Sequence, residues 1–382
     1  MLIAKTRIVG LAMAMALLGS SGGCDAPRSR PPGAGADMAD LGESPLETDA
    51  TIVNMDGAPA GEDASNQTDS APTTDASVDS ATDGATRSDG GAVRGFHIFV
   101  SDAISNRVLQ FDDLTGANWK SFGSSGSGMN QFKFLWKIFV DSDDRIYVAD
   151  QGTSRIIRID DVSGSNWVAY GTPGSDVGQF INPTCVWANS HHIYVCDGND
   201  RIVRIDDMTG AGWITYGTTG SGVGEFSVPI RLFVDDSERI YISDSGNGRI
   251  VRIDDMTGAG WVSFGSQGSS VSQFNNPRGI FLDSTARIYV SDANNHRIVR
   301  FDDMTGAGWV SLGGPSSGSG VRQFYQPRDV FVSHSGRIYV ADTLNARIER
   351  FDDMTGSGWT TFGSSGTGVG KFSDPTSIFI AE

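Results

Sequence analysis

The chain has 382 residues and a formal net charge of −17, which allows two or three domains and makes the protein strongly acidic. Binding to nucleic-acid phosphates requires clustered basic residues, so the acidic balance argues against nucleic acid as a partner. All of the aromatic residues, 20 Phe, 8 Trp and 8 Tyr, lie at or after Phe96. Residues 1–95 therefore lack the side chains from which an ordinary hydrophobic core is built.

The N-terminus is typical of an export signal. Lys5 and Arg7 precede an apolar run over residues 8–18 that suits a signal peptide and is too short to span a membrane. Small residues then lead to Cys24. This arrangement resembles a bacterial lipoprotein signal, although Ser21 replaces the usual leucine. The resemblance implies a signal peptide over residues 1–23, a lipid anchor at Cys24, and a protein exported to the bacterial cell envelope and attached to a membrane only through that lipid. The alternative is an ordinary secretory signal followed by an incidental cysteine.

The next segment, residues 24–95, is predicted to be a disordered acidic linker. It consists mainly of Asp, Ala, Ser, Thr, Gly and Pro and has no helical or strand periodicity. Low hydrophobicity combined with net negative charge prevents a chain from collapsing. We expect this linker to hold the folded part away from a membrane surface.

The remaining residues, 96–382, consist of a sixfold repeat. An Asp-Asp pair followed by a tryptophan recurs about every 48 residues. In the fourth unit, an apolar segment at 278–283 is followed by alternating segments at 287–292 and 297–302 and by a fourth segment at 308–313. Turn sequences separate them, which predicts four antiparallel strands. Repeats of this length and pattern are typical of β-propeller blades. Because the repeat starts on a second strand and finishes on a first strand, the C-terminal strand should complete the first blade.

The segment PRGIFLDSTARIYVSDANNHRIVRFDD, residues 277–303, resembles the NHL repeat, and all six units show the pattern. The resemblance implies an all-β, six-bladed NHL-type propeller with Velcro closure by the C-terminal strand. Such propellers serve as protein-binding, RNA-binding or receptor-sensor modules, and six-bladed relatives include enzymes, so the resemblance is specific for fold and not for function.

Several positions are the same in all six units, which favours a structural role. Six strand-end aspartates are each followed by an arginine across a tight loop, where the two side chains can bond each other and the backbone. The alternative for the aspartates is a calcium site. The Asp-Asp-x-(Thr/Ser)-Gly segments are predicted to be turns, because Asp and Thr bond their own backbone; they lack the ligand spacing of a dedicated calcium loop. The tryptophans are expected to pack between blades, with a row of sugar-binding platforms as the alternative.

The entrances of the innermost strands differ from unit to unit, and these positions are our candidate binding site. They line the central channel on one face and include four basic residues in an acidic domain. This local reversal of charge favours an anionic or carboxylate-bearing ligand, with the tryptophan providing apolar contact area. The alternatives are neutral variation at exposed positions and arginines that pair with loop aspartates. The candidate residues are Trp136, Lys137, Arg231, Arg278, Arg328 and Asp329.

Cys185 and Cys196 are a candidate disulfide. They lie on the first two strands of one blade, symmetric about the intervening turn, so they can be directly opposed. Disulfides persist in exported proteins. The alternative is a pair of small buried thiols.

No motif of a catalytic nucleophile, phosphate-binding loop or metalloprotease is present. We therefore predict no catalytic residue, no metal site and no cofactor. The predicted function is a cell-envelope binding or scaffold module that recognises a protein, peptide or glycan on one face of the propeller. The alternatives are a metal-dependent lyase or lactonase that uses the central channel, and a purely structural surface protein.

Overall fold

The computed structural model describes residues 95–382. The predicted signal peptide, Cys24 and the predicted linker up to residue 94 lie outside the described residues. Within the described part, no helix is long and apolar enough to cross a membrane.

Residues 95–382 form six four-stranded antiparallel sheets arranged as the blades of a propeller. Only short 3₁₀ turns, and no α-helices, interrupt the strands in this range. From the channel outward, the strands are Pro375–Ala381, His97–Asp102, Arg107–Phe111 and Lys120–Phe122 in blade 1; Leu135–Val140, Ile146–Asp150, Arg155–Ile159 and Val168–Tyr170 in blade 2; Cys185–Ala188, Ile193–Asp197, Arg201–Ile205 and Ile214–Tyr216 in blade 3; Pro229–Val234, Ile240–Asp244, Arg249–Ile253 and Val262–Phe264 in blade 4; Pro277–Leu282, Ile288–Asp292, Arg297–Phe301 and Val310–Gly313 in blade 5; and Pro327–Val332, Ile338–Asp342, Arg347–Phe351 and Thr360–Phe362 in blade 6.

The predicted closure is confirmed. The last strand pairs antiparallel with the first described strand, so that Ile378 lies opposite Val100 and Ile380 opposite Ile98. Both isoleucines are buried. Residues from opposite ends of the domain therefore share one sheet, and the strand His97–Asp102 has no unpaired edge.

The hydrophobic core is divided among the seams between blades. Six clusters of buried side chains each combine residues from two neighbouring blades. The alternation predicted for the second strands is not seen in their burial: every residue of Ile288–Asp292, for example, is buried. The reason is that two sheets flank each blade, so both faces of its second strand are covered.

The six tryptophans pack in these seams. Each lies 5.3–5.8 Å, between ring centroids, from the phenylalanine that ends the preceding inter-blade loop. In four seams an arginine guanidinium also lies 5.5–5.8 Å from the tryptophan ring. These contacts bury much of each ring against the fold, as expected for a packing role.

The six Asp–Arg pairs form hydrogen bonds to the inter-blade loops and hold them in place. Asp292 is representative: its Oδ2 accepts a hydrogen bond from Nε of Arg297 at 2.8 Å, and its Oδ1 accepts one from the backbone N–H of Asn275 at 2.7 Å. The guanidinium of Arg297 also donates to the carbonyls of Ser269 and Gln273, both at 2.8 Å. Because the carboxylate and the guanidinium each reach the same loop, one charged pair fixes the loop that carries the chain to the next blade.

The two cysteines of blade 3 are directly opposed in the register of the first two strands. Their sulfur atoms lie 2.13 Å apart as a disulfide, and both residues are buried.

Candidate binding site at the channel mouth

The antiparallel order of each blade places two sets of loops on one face of the propeller. The inter-blade loops and the loops between second and third strands share a face with the start of every innermost strand. We call this side the mouth face and the other side the turn face, because the six Asp-Asp turns lie there.

A β-bulge interrupts the ladder at the start of most innermost strands. In blade 6, Pro327 pairs with Asp342 and Asp329 pairs with Ala341, so Arg328 is the extra residue. The same shift occurs at the corresponding point of blades 1, 2, 4 and 5. A residue that leaves the ladder in this way turns its side chain away from the sheet. Proline immediately before the bulge fits, because it cannot donate to the ladder.

Trp136 lies at the centre of the mouth with three guanidiniums around it. Their carbon atoms are 5.7 Å from the ring centroid for Arg231, 5.0 Å for Arg278 and 5.7 Å for Arg328. Only 5 % of Trp136 is exposed. The electron-rich face of an indole attracts cations, and burial strengthens that attraction.

Arg231 lies beneath the mouth and joins four blades. Its exposed fraction is 1 %. Its Nη1 donates to the carbonyl oxygens of Thr184 at 2.7 Å and Ile230 at 3.3 Å, and its Nη2 donates to those of Thr376 at 2.9 Å and Trp136 at 3.3 Å. These carbonyls belong to the innermost strand or its entrance in blades 3, 4, 1 and 2 respectively. The sequence predicted Arg231 at the rim of the mouth; the structure places it inside, as a link between strands.

Lys137 and Asp329 form an ion pair beside Arg231. The Lys137 Nζ lies 2.8 Å from Oδ2 of Asp329, and the same oxygen accepts hydrogen bonds from the Ser377 hydroxyl at 2.6 Å and the Ile378 N–H at 3.1 Å. Asp329 is fully buried. Burial lowers the pKa of Lys137, and the charge of Asp329 opposes that shift.

Arg328 and Arg278 lie nearer the surface. The Nη1 of Arg328 donates to Oδ2 of Asp374 at 2.8 Å, so the pairing of an arginine with a loop aspartate, the alternative raised by the sequence, is found here. Arg278 has no carboxylate within ion-pair distance among the described residues. Burial lowers the pKa of Arg278 well below its usual range, and the positive charges of Arg328 and Arg231 lower it further.

The structure therefore brings the six sequence-predicted residues together at different depths. Trp136, Arg278 and Arg328 form an outer layer, whereas Lys137, Arg231 and Asp329 form an inner layer. The sequence reasoning did not identify Asp374, which compensates Arg328. It could have been found as the only acidic residue directly before an innermost-strand proline.

A third layer, also missed from the sequence, lies farther along the channel toward the turn face. Each innermost strand carries one aromatic residue two positions after the inner layer. Five contacts between neighbouring rings have centroid distances of 4.5–5.4 Å. The polar mouth therefore lies above an aromatic layer whose members are Phe139, Trp187, Phe233, Phe281, Phe331 and Phe379.

The described part of the structure has two small clefts. The one on the mouth face, at the seam of blades 4 and 5, has a volume of ≈ 290 Å³ and includes Asn276, which neighbours Arg278. The other, of ≈ 210 Å³, lies near the turn face beside Phe331, Phe379 and Glu382. Within residues 95–382, no group of three or more His, Cys, Asp or Glu side chains is placed to hold a metal ion.

Comparison with solved structures shows a similar fold in sequences of low identity. A chain of a nidogen/laminin complex is 16 % identical with a TM-score of 0.56, over 75 % of this chain and 99 % of that one. A streptogramin B lyase is 14 % identical with a TM-score of 0.50, over 72 % and 81 %. A protein of unknown function from Bacteroides caccae is 12 % identical with a TM-score of 0.52, over 75 % and 99 %. At these identities the likeness extends to the fold alone.

Comparison of sequences gives a more local result. No curated protein sequence matches the chain. The family model of the NHL repeat matches residues 274–301, which include the innermost, second and third strands of blade 5. Residues 95–382 are therefore a six-bladed β-propeller that contains an NHL repeat in blade 5.

Proposed function

We propose that the protein is an exported, lipid-anchored binding module that captures a macromolecular ligand on its mouth face. A protein or peptide fits the observations best, and a glycan is the other ligand class that the sequence favours. The proposal rests on the unequal distribution of exposed apolar side chains between the two faces.

Ten of the twelve large apolar residues that are exposed in the described structure lie in loops of the mouth face. Six of them recur at one position, once in each inter-blade loop, with exposed fractions of 68–76 %. Apolar groups gathered on one face commonly mark a protein-interaction surface. We call these six residues the apolar ring: Met129, Val177, Val223, Val271, Val321 and Val369.

The loops that carry the apolar ring are held in defined conformations. In the loop before blade 3, Arg201 donates to the carbonyls of Ser175 at 2.7 Å and Gln179 at 3.0 Å. Oε1 of Gln179 in turn accepts the N–H of Asp176, next to Val177, at 3.0 Å. Preorganised loops lose little conformational entropy on binding, which favours affinity.

The fold is compatible with a protein ligand, since one chain with this architecture was solved in a nidogen/laminin complex. That likeness supports the capacity of the fold and not the identity of a partner. Export and anchoring are part of the proposal and rest on residues 1–24. Replacing Cys24 with Ser should move the protein from the detergent phase to the aqueous phase on phase separation. An aqueous wild-type protein would contradict the lipid anchor.

The binding proposal is tested by changing three members of the apolar ring. We expect the combined variant Val177→Ser, Val223→Ser and Val271→Ser to bind isolated cell envelopes at least ten-fold more weakly, because each substitution removes methyl groups worth about 1 kcal/mol if buried on binding. Saturation binding of labelled full-length protein measures the affinity.

The matched control replaces two exposed apolar residues of the outer strands, Ile214→Ser and Val310→Ser. They are 38 % and 36 % exposed and lie outside the mouth-face loops. This control should bind like wild type. Equal loss in both variants, or loss in neither, would show that the mouth face is not the binding surface.

A further inference from the structure

The mouth contains more positive than negative charge. Lys137, Arg231, Arg278 and Arg328 are gathered around Trp136, and the carboxylates among them are those of Asp329 and Asp374. With all of these groups ionised, the four cations exceed the two anions by two charges. Buried charges require compensation, so this imbalance calls for an anion at the same place.

One of the two excess charges is at Arg278, which has no carboxylate partner among the described residues. Lys137 and Arg328 each have a carboxylate at 2.8 Å, and the terminal nitrogens of Arg231 donate to four carbonyls. For Arg278, the neutral side chain of Asn276 is a partner: when its amide oxygen faces the guanidinium, that oxygen lies 3.2 Å from both Nε and Nη2. The third nitrogen, Nη1, has no hydrogen-bond partner among the described residues.

Trp136 supplies a second buried donor without a partner in the described structure. Its indole Nε1 is buried and has no hydrogen-bond partner in the range 95–382. Buried indole nitrogens normally find an acceptor. Two unpaired donors, one from Trp136 and one from Arg278, therefore belong to side chains whose ring and guanidinium carbon are 5.0 Å apart.

We propose that the mouth binds a carboxylate of the ligand between Arg278 and Arg328, with the indole of Trp136 as an apolar wall and a further donor. This inference rests on the proposed function of the mouth face and names the chemical group recognised there. The planar fork of arginine matches the two oxygens of a carboxylate. The cleft at the seam of blades 4 and 5 is lined in part by Asn276, whose side chain contacts Arg278.

The repeat itself supplies substitutions that should preserve the fold. Thr184 and Thr376 occupy, in blades 3 and 1, the position that Arg278 and Arg328 occupy in blades 5 and 6. The variants Arg278→Thr and Arg328→Thr therefore introduce a side chain that the innermost strand accepts elsewhere in the same ring.

The test titrates full-length protein with sodium acetate and sodium benzoate, at ionic strength held constant with sodium chloride, and follows the melting temperature. An anion that binds only the folded state raises it. We expect the melting temperature to rise by about 3 °C at saturating benzoate. In Arg278→Thr, the benzoate concentration that gives half of this rise should be at least ten-fold higher. The control Arg322→Gln removes an exposed arginine from a mouth-face loop outside the cluster and should respond like wild type.

The outcomes separate this inference from the proposed function. Equal stabilisation of Arg278→Thr and wild type would overturn the carboxylate site, as would stabilisation by phosphate or sulfate without stabilisation by acetate or benzoate. If Arg278→Thr does not fold, Arg278→Lys, which keeps the charge and loses the fork, should bind benzoate more weakly than wild type; unchanged binding would also overturn the site. Envelope binding that depends on the apolar ring can persist in each of these cases, so failure here leaves the proposed function standing.

Discussion

The two faces of the propeller are built from the same repeat and use it differently. On the turn face, each Asp-Asp turn repeats one set of bonds: Asp255, for instance, accepts the N–H and the hydroxyl of Thr257 at 2.7 and 2.5 Å, and the other five turns do the same with Thr or Ser. On the mouth face, the Asp–Arg pairs also repeat, whereas the entrances of the innermost strands carry Trp, Thr, Ile or Arg.

The difference shows which positions of a blade are free to change. A turn residue must satisfy its own backbone, so every copy meets the same requirement. A bulged residue at a channel entrance has left the ladder, and its side chain meets residues of other blades that are not identical to one another, as Arg328 meets Asp374 and Trp136. Departures from the repeat therefore collect at the mouth, where they can build an asymmetric site.

Removal of the closing strand should cause the largest loss of stability. Deleting residues 375–382 removes two buried isoleucines, worth about 1.5–3 kcal/mol each, together with the Thr376 carbonyl that accepts from Arg231. We expect a loss of several kcal/mol in the free energy of unfolding, measured by urea titration. Deletion of Glu382 alone is the control and should unfold close to wild type. A truncated protein as stable as wild type would contradict closure by this strand.

Arg231 tests whether a basic residue of the mouth is structural. We expect Arg231→Ala to lower the free energy of unfolding by about 3–5 kcal/mol. It opens the link among four blades and removes a positive charge whose Nε lies 4.0 Å from Oδ1 of the buried Asp329. Arg322→Ala, which removes an exposed arginine from the same face, should change stability by less than about 0.5 kcal/mol. Urea unfolding measures both. A small loss for Arg231→Ala would show that the four carbonyls are solvated without it.

The repeat made much of this architecture predictable. The six units, with four predicted strands in each, gave the number of blades. The closure followed because the C-terminal segment matches the first strand of a unit. Comparison of the units also identified the entrance positions, because Trp136, Arg278 and Arg328 stand where the pattern fails.

Depth within the channel was not predictable in the same way. Whether Arg231 reaches solvent depends on the bulge beside it and on carbonyls from Thr184 and Thr376, which are remote in sequence. Such contacts arise from tertiary packing and leave no local pattern. By contrast, the aromatic layer and the apolar ring are regular columns of the repeat; their exposure and channel position, and not their residue types, required the structure.

Glu349 is a departure from the repeat that lies inside a blade and not at the mouth. It is fully buried in the third strand of blade 6, where blades 2 to 5 have Ile157, Val203, Val251 and Val299. Burial raises its pKa to about 7, while a hydrogen bond from Thr361 and the charge of Arg347 oppose the shift. Between the ordinary value of 4.5 and about 7, the native state therefore holds a proton that the unfolded state has lost.

Stability should consequently fall as pH rises through this window. Glu349→Val removes the charge and restores the side chain of three other blades. We expect it to stabilise the protein relative to wild type by up to about 3 kcal/mol more at pH 8 than at pH 4.5, given about 1.4 kcal/mol per pKa unit. Urea titrations at both pH values test this. The same difference at both values would show that Glu349 does not titrate in the window, and Glu349→Gln separates charge from shape.

The smallest expected effect tests the equivalence of the turn-face copies. Asp255 and Asp303 each accept the N–H and the hydroxyl of a threonine two residues later, at distances that agree within 0.1 Å. Asp255→Ala and Asp303→Ala should each lower the melting temperature by less than about 3 °C, and by the same amount within error, because the lost bonds are solvent-exposed and identical.

Arg278→Thr and Arg328→Thr are the matched mouth-face pair. They should differ from each other, since Arg328 leaves Asp374 unpaired when it is removed and Arg278 leaves no carboxylate behind. Equal effects within the mouth-face pair, or unequal ones within the turn-face pair, would mean that the repeat does not divide structural from site positions as the two faces indicate.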